Sequence, residues 1–496
     1  MKDLRSKRIF QLVLFTLFTL FMVRLWMAYA IPLTDTTEAR YAEMTRKMVE
    51  LSNWITPMFD YGVPFWGKPP LSFWISSLGM ELFGNSELAV RTGIFSSSLF
   101  FIFFFYRWMK SLNLGRISLP VLVMLCSSFL FFVSTAVVMT DMILMISVCI
   151  SLMGFWRRLS GGTFNDEIVF YVACGLGLLA KGPIAVIFIF FPVFSWLWLT
   201  HQYKVAVKLF SWGKGLFIIL GVSLPWYIIA EIKTPGFLDY FIVNEHIKRF
   251  LIGGFVGDLY GNPHSKPLGS IWMFWLAALF PWSLFSIVVG VFARKRILNN
   301  YQNHKIFVKF LVLWILGPLL LFTFAHNTIW TYPLPSVPPS ILLIGVLLQP
   351  NEEHKNQKQL LWISVIGLSM SILYLLFSFQ IAQSDSKTIK KSQKNLVLTM
   401  QKICPQTNCQ LLYWQKRFYS ADYYSKGSAK VIHNKKDMDS YLKDNKKVFL
   451  AVNKKSWTKV PKSVRGNLKL LNQFGEMQLY QYIPIIIQDT GFQHLE

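Results

Sequence analysis

Charge is scarce in this chain. Only 15% of its 496 residues are Asp, Glu, Lys or Arg, where a soluble globular protein carries about a quarter. That deficit, beside a hydrophobic share of 53% with 44 Phe and 18 Trp, excludes both a single soluble globule and a disordered chain. Acidic residues are the scarcer sign: 25 Asp+Glu stand against 50 Lys+Arg, a net charge of +25. In a soluble protein such a surplus would suggest nucleic acid, but no zinc-finger, basic-zipper or RNA-binding signature is present, and no nucleic-acid partner is expected. Cysteine is sparse too: there are five, with no Cys and His repeat of metal-binding spacing. Length alone would suggest about three domains. The apolar runs instead assign most of the chain to a bilayer.

About eleven runs are long enough, or nearly so, to cross roughly 30 Å of hydrocarbon. They fall near 9–31, 88–106, 117–138, 140–156, 168–181, 183–199, 214–230, 269–292, 307–325, 333–349 and 360–381, and the short ones around 140–181 suggest tilted or re-entrant segments. Lys2, Arg5, Lys7 and Arg8 precede the first run and no small-residue cleavage site follows it, so it reads as an uncleaved anchor. With the N-terminus in the cytoplasm, the basic loops alternate correctly. Arg107, Lys110 and Arg116, then Arg157 and Arg158, Lys204 and Lys208, Arg294 to Arg296, and Lys355 and Lys358 all fall on the cytoplasmic side. Loops near 32–87 and 231–268, and everything after about 382, fall outside.

The chain therefore divides into a membrane domain, 1–382, and a soluble domain, 383–496. The second holds 20 Lys+Arg and 8 Asp+Glu. Strand-like runs at Gln410–Trp414, Lys447–Val452 and Met477–Ile483 predict a small α/β domain. Its basic surface is either drawn to anionic headgroups or simply a solvated Lys-rich face. Cys126, Cys149 and Cys174 lie in apolar runs and read as buried small residues. Cys404 and Cys409, five apart and outside, are a disulfide candidate in an oxidising compartment.

The informative polar residues gather in the outer loops. The first reads Pro32-Leu-Thr-Asp35-Thr-Thr-Glu38-Ala-Arg40-Tyr41-Ala-Glu43, with Met44, Met48 and Leu51 following at helical spacing, which predicts a short interfacial helix. Asp35 and Glu38 either form a capping box at its start or offer carboxylates to a hydroxyl. Arg40 could hold a phosphate oxygen. Further on, Lys68 stands before Pro69 and Pro70, which remove two backbone donors and stiffen the chain. In that frame Lys68 is either solvated surface or a phosphate clamp. Asp141 and Lys181 sit at outer span ends, where ionisable groups are expensive and default to functional candidates, unless they pair as a bridge. Asn244-Glu245-His246-Ile-Lys248-Arg249-Phe250, with His264 later, offers a metal ligand or acid/base group beside an anion binder, or an ordinary packed histidine.

Five motifs occur in a fixed order: Thr37-Glu-Ala-Arg-Tyr-Ala-Glu43, Lys68-Pro-Pro-Leu71, Thr140-Asp141, Ala180-Lys-Gly-Pro183 and Glu245-His-x-x-Arg-Phe250. Together, over about residues 10–345, they resemble the C-type (GT-C) glycosyltransferases of the bacterial aminoarabinose (lipid A) transferase and protein O-mannosyltransferase (family 39) group. The resemblance implies a polytopic α-helical membrane protein of about 11–13 transmembrane helices with a GT-C fold and a small C-terminal α/β periplasmic domain. It implies a bacterial inner (cytoplasmic) membrane location. The implied activity is inverting transfer of a sugar from a polyprenyl (undecaprenyl) phosphate donor to lipid A or lipopolysaccharide, or to a protein hydroxyl. A multispanning transporter is the competing class, but no internal repeat of the transporter kind is present.

On the matching positions the resemblance implies Arg40, Lys68, Lys181, Arg249 and Tyr332 (in Trp330-Thr-Tyr-Pro-Leu-Pro335) as donor-phosphate binders. Asp35, Glu38 and Asp141 would position or deprotonate the acceptor, and His246 would be a ligand for a divalent metal. Three positions depart from the group's pattern. Thr37 stands where an Asp usually precedes the Glu, the nearest Asp being Asp35. Gly67 replaces the Glu before Lys-Pro-Pro that is associated with a bound metal, which puts the metal in doubt. Thr328 replaces the Lys of the late outer turn.

Overall fold

Apolar backbone in a bilayer must satisfy its own hydrogen bonds, so the long runs become helices. The computed structural model describes residues 2–252, 257, 259–261, 266–350, 353–383, 391–405, 408–443 and 447–483. Among these, six helices are long and apolar enough to cross a membrane: Ser6–Ala30, Glu87–Ser111, Thr140–Leu159, Trp212–Lys233, Lys305–Thr323 and Gln357–Ala382. A seventh crossing arises if Ser270–Ala278 and Trp282–Phe292, bent by 87°, form one span. Shorter apolar helices (Leu71–Phe83, Gly115–Ser127, Ile184–Leu199 and Leu334–Leu348) accompany them. The protein is a multi-span membrane protein.

Several apolar runs are broken where the sequence reads as continuous. The run 117–138 divides at Ser128, whose extended backbone separates Gly115–Ser127 from Phe129–Ser134. Carbonyls at the end of the second piece are left without helical partners, and Arg24 takes them: Nε donates to Phe132 O at 2.9 Å and Nη2 to Val133 O at 2.8 Å. A buried arginine in a span is thus accounted for by the break it mends. The first outer loop also holds an apolar helix, Leu71–Phe83, that the polar motifs around it obscured. It lies closely against Glu87–Ser111: a Cβ on Gly93 would come 1.9 Å from the Ile75 carbonyl oxygen, so only glycine permits the approach.

The chain forms two compact units, Met1–Ala30 with Met44–Phe377, and Ile31–Glu43 with Ser378–Glu496. The expected boundary near 382 misses one feature: the start of the first outer loop belongs with the C-terminal residues. The expected interfacial helix forms as Thr37–Glu50, with Met44 and Met48 buried, while Leu51 lies beyond its end and is exposed.

In the membrane unit, Met58–Asp60 (β1) and Val63–Pro64 (β2) make a small antiparallel hairpin. Leu179, Trp226, Ala230, Phe237 and Phe241 form a buried cluster against which Ile55, Trp66 and Trp74 pack. This cluster ties both outer loops to the span ends beneath them.

In the other unit a five-stranded sheet runs β4-β3-β5-β7-β6, from Cys409–Trp414 (β3), Lys430–Ile432 (β4), Lys447–Asn453 (β5), Leu468–Phe474 (β6) and Met477–Tyr482 (β7). β3 pairs in parallel with β4 and β5, whereas β7 is antiparallel to β5 and β6. Alternation along β3 sends Leu411 and Tyr413 to one face, with Leu396, Val397 and Met400, and Leu412 and Trp414 to the other, with Met438, Val460 and Val464. Both faces are covered, which is why β3 and β5 are near-continuous apolar runs. Cys404 and Cys409 form a disulfide, with Cα atoms 6.1 Å apart, joining the end of helix Lys394–Ile403 to the start of β3.

Candidate functional site

The site in the membrane unit is assembled from two outer loops and two helix ends. Pro69 and Pro70 lead into helix Leu71–Phe83 and leave Lys68 at its threshold. The Lys68 ammonium donates to the Gly67 carbonyl at 2.6 Å and makes a close ion pair with Glu245. Glu245 lies in a π-helical stretch, Tyr240–Lys248, a wide winding found disproportionately at functional sites. One turn further on, Arg249 Nη1 reaches both Glu245 oxygens at 2.8 Å. One carboxylate therefore serves two cations. Their exposures decide the character of the trio: the Glu245 side chain is 6% accessible, Lys68 13% and Arg249 25%.

Burial raises the Glu245 carboxyl, but the Lys68 and Arg249 charges outweigh it and hold the group below the usual carboxylate range. Burial holds Lys68 below its ordinary value, with Arg249 and Lys181 adding to the effect and Glu245 opposing it.

Asp141 begins helix Thr140–Leu159 and Lys181 ends helix Phe164–Lys181. Each charge complements the dipole at its own helix end. Lys181 Nζ donates to Asp141 Oδ1 at 2.7 Å, and both side chains are under a tenth accessible. The same ammonium lies 4.5 Å from the centroid of the Tyr332 ring, which stacks on Phe322 at 4.3 Å. Thus Lys68, Lys181, Arg249, Asp141 and Tyr332 all fall in the membrane unit, and Glu245, a residue the sequence reading passed over, joins them. Among the described residues, three cations and two carboxylates meet here in ion pairs.

His246 has a different place. Its Nδ1 meets the Phe241 carbonyl at 2.7 Å and its Nε2 the Lys181 carbonyl at 3.3 Å. Burial lowers its basicity, partly offset by the Phe241 hydrogen bond. The ring seals the C-terminal carbonyl of the Lys181 helix next to Gly182, whose φ of +81° and whose contact with Phe241 require glycine. Among the described residues these surroundings gather no metal-ligand set. Both ring nitrogens face backbone oxygens, and no group of three or more His, Cys, Asp or Glu gathers among the described residues. At Gly67 a Cβ would come 2.8 Å from Cζ of Phe65, a ring buried against Phe73 and Tyr260. The space a Glu would need is filled by an aromatic ring. His264 lies outside the described residues.

Asp35, Glu38 and Arg40 belong to the other unit. The spacing suggested that Asp35 caps its own helix or serves as a base. Its carboxylate instead caps helix Tyr419–Tyr424: Oδ1 accepts from the Tyr419 amide at 2.8 Å and the Ser420 amide at 3.2 Å, and Oδ2 from the Ser420 hydroxyl. Tyr424 Oη reinforces this by accepting from the Leu33 amide at 2.8 Å. Arg40 lies over the rings of Tyr41 and Tyr419, and Glu38 is buried. No signal in the local sequence marks the partners of Asp35, because they lie at the other end of the chain.

Comparisons with known proteins bear on the fold. Residues 9–241 match the family model of the dolichyl-phosphate-mannose-protein mannosyltransferases. An undecaprenyl phosphate-alpha-4-amino-4-deoxy-L-arabinose arabinosyl transferase of Serratia proteamaculans is 28% identical over 334 residues, 64% of this chain and 57% of that protein. Its namesake in Wigglesworthia glossinidia brevipalpis is 26% identical over 363 residues, 70% and 61% of the two chains. This chain thus spans less than two thirds of the length of these relatives. In structure it superposes on ArnT from Cupriavidus metallidurans, solved bound to undecaprenyl phosphate, with a TM-score of 0.76 at 14% identity, covering 95% of this chain and 97% of that one.

The fold is therefore the GT-C fold, a multi-helix membrane unit with a small strand-containing C-terminal region. Within that class the chain is similar to the bacterial aminoarabinose transferases and, over residues 9–241, to the protein mannosyltransferase model.

Proposed function

We propose that this protein is an inner-membrane glycosyltransferase that moves a sugar from a polyprenyl phosphate carrier, of the undecaprenyl phosphate class, to lipid A. The observation that carries the proposal is the cluster of Lys68, Arg249 and Lys181 with Glu245 and Asp141, which brings three cations together at the outer span ends where an anionic donor phosphate would need them. Its residues come from the motifs that resemble those of the transferases. The N-terminus is assigned to the cytoplasm and the C-terminal unit to the periplasm, where the Cys404–Cys409 disulfide suits an oxidising compartment.

The chemistry follows from the charges. The bond between the anomeric carbon and the phosphate oxygen breaks, and the carrier phosphate departs with the electron pair. Lys68, Arg249 and Lys181 stabilise the second negative charge that develops on it, in surroundings of low dielectric where preorganised cations act strongly. An acceptor oxygen attacks the opposite face of the sugar and inverts it. A lipid A phosphate arrives ionised and needs little base. An alcohol must lose its proton, and Asp141 is the carboxylate beside the cations that would take it. The family-model match over 9–241 favours a second reading, transfer to protein hydroxyls with the same donor.

The test is mass spectrometry of lipid A from cells lacking the protein, from cells with it intact and from cells carrying Lys68→Ala. A sugar-sized mass only with the intact protein is the expected result. Identical lipid A in all three, with a glycan mass on periplasmic proteins only when the intact protein is present, would replace the first reading by the second.

A further inference from the structure

Glu245 holds the two loop cations that the proposed function assigns to the donor phosphate. It accepts from both Lys68 and Arg249, the two loop cations of the cluster, and its side chain is almost wholly buried. A carboxylate and a phosphate present the same pair of oxygens to a guanidinium, so the two compete for one set of donors. We propose that Glu245 is the resident counter-ion of the donor site: it holds Lys68 and Arg249 while no lipid phosphate is bound, yields them to the donor, and returns to them when the sugar has left.

Two features favour exchange over a fixed bridge. Glu245 and Arg249 are separated by one turn of the same short segment, so their contact breaks by side-chain rotation alone. Lys68 comes from the other outer loop, 177 residues away, and its hold on Gly67 O at 2.6 Å keeps the ammonium in place when the carboxylate withdraws. The charge balance explains why such a counter-ion is useful. The donor phosphodiester carries one negative charge, but the released carrier phosphate is a monoester carrying roughly 1.5 to 2 near neutral pH. Without Glu245, Lys68 and Arg249 beside the Lys181–Asp141 pair would retain that product more tightly than the donor. The returning carboxylate displaces it, while between turnovers it spares two buried cations from facing each other alone.

This inference rests on the function proposed above, and the experiment separates the two. The full-length protein in lipid nanodiscs is titrated with undecaprenyl phosphate, as wild type, Glu245→Gln and Glu245→Asp, with thermal unfolding recorded for each. Glu245→Gln keeps the shape and removes the charge. It should bind the lipid about tenfold more tightly than wild type, with a lower KM and a lower kcat for sugar transfer as product release becomes limiting. Glu245→Asp, which keeps the charge, should release product as wild type does. If Glu245→Gln binds undecaprenyl phosphate more weakly than wild type, or KM rises, Glu245 props its cations in place and the counter-ion reading falls. Should Glu245→Gln prove unfolded, the Asp variant decides: product inhibition unchanged from wild type sustains the reading, and a rise in KM alone overturns it. Failure of folded wild type to bind undecaprenyl phosphate would instead remove the proposed function itself.

Discussion

The Asp35 carboxylate accepts the backbone proton of Tyr419 at 2.8 Å across a separation of 384 residues. With the Ser420 amide and hydroxyl on the same group, this contact makes the first outer segment part of the unit that also holds the last strands.

The contact should titrate. Burial pushes the Asp35 carboxyl up from 3.8 to about 6, with the bonds from Ser420 and Tyr419 opposing. The folded state then binds this proton more tightly than the unfolded one. The stabilising share is fully present below the unfolded value and is lost as pH rises through about 6. Asparagine resembles the neutral carboxyl and removes the titration. Between about pH 4 and pH 7 the wild type should lose on the order of 1–2 kcal/mol relative to Asp35→Asn. Thermal unfolding of the full chain in detergent, run at both pH values, reads the difference. A gap that does not change with pH would mean that burial places no penalty on the charge.

Asp141 and Lys181 should behave asymmetrically towards single and double substitution. Lys181→Met strands a buried carboxylate and should cost about 3–5 kcal/mol. Adding Asp141→Asn removes the stranded charge and should return most of that stability while sugar transfer stays lost. A double variant that is both stable and active would reduce the pair to a structural bridge. Unfolding temperature and transfer rate, measured on the same preparations, distinguish the cases.

Gly67→Glu would introduce the carboxylate that the sequence resemblance leads one to expect before Lys-Pro-Pro. Here the side chain meets the Phe65 ring, itself packed on Tyr260 at 4.7 Å between centroids. Overpacking of this kind costs about 1–3 kcal/mol. The variant should unfold earlier than wild type, and elemental analysis after dialysis should find no retained zinc. Stoichiometric zinc in the variant would show that Phe65 gives way and that His246 turns from its two carbonyls.

Much of this architecture is legible in the sequence, for physical reasons that also set its limits. Apolar length and basic loops mark a polytopic membrane chain because the bilayer imposes both. They do not report a bend, so the breaks at Ser128 and before Trp282 went unseen. Alternation exposed β3, β5 and β7. It missed β4, which has only three residues, and β6, whose Lys469, Asn472 and Gln473 face outward as an edge strand tolerates. The cations of the site were found from their motifs. Glu245 was visible in the same motif as Arg249, but its claim on Lys68 spans a separation of 177 residues. Asp35 misled for the same reason: its spacing fits a local cap, and a stronger set of donors waits elsewhere.

The membership of Ile31–Glu43 in the C-terminal unit also has a bearing on biosynthesis. A ribosome adding about 5–20 residues per second needs roughly 20 to 80 seconds to pass from Asp35 to Tyr419. Throughout that interval the Leu33 amide and the Asp35 carboxylate lack Tyr424, Tyr419 and Ser420. Its ordering is therefore among the last events of maturation, and a chain cut short before Tyr419 would carry a defect at its beginning as well as at its end.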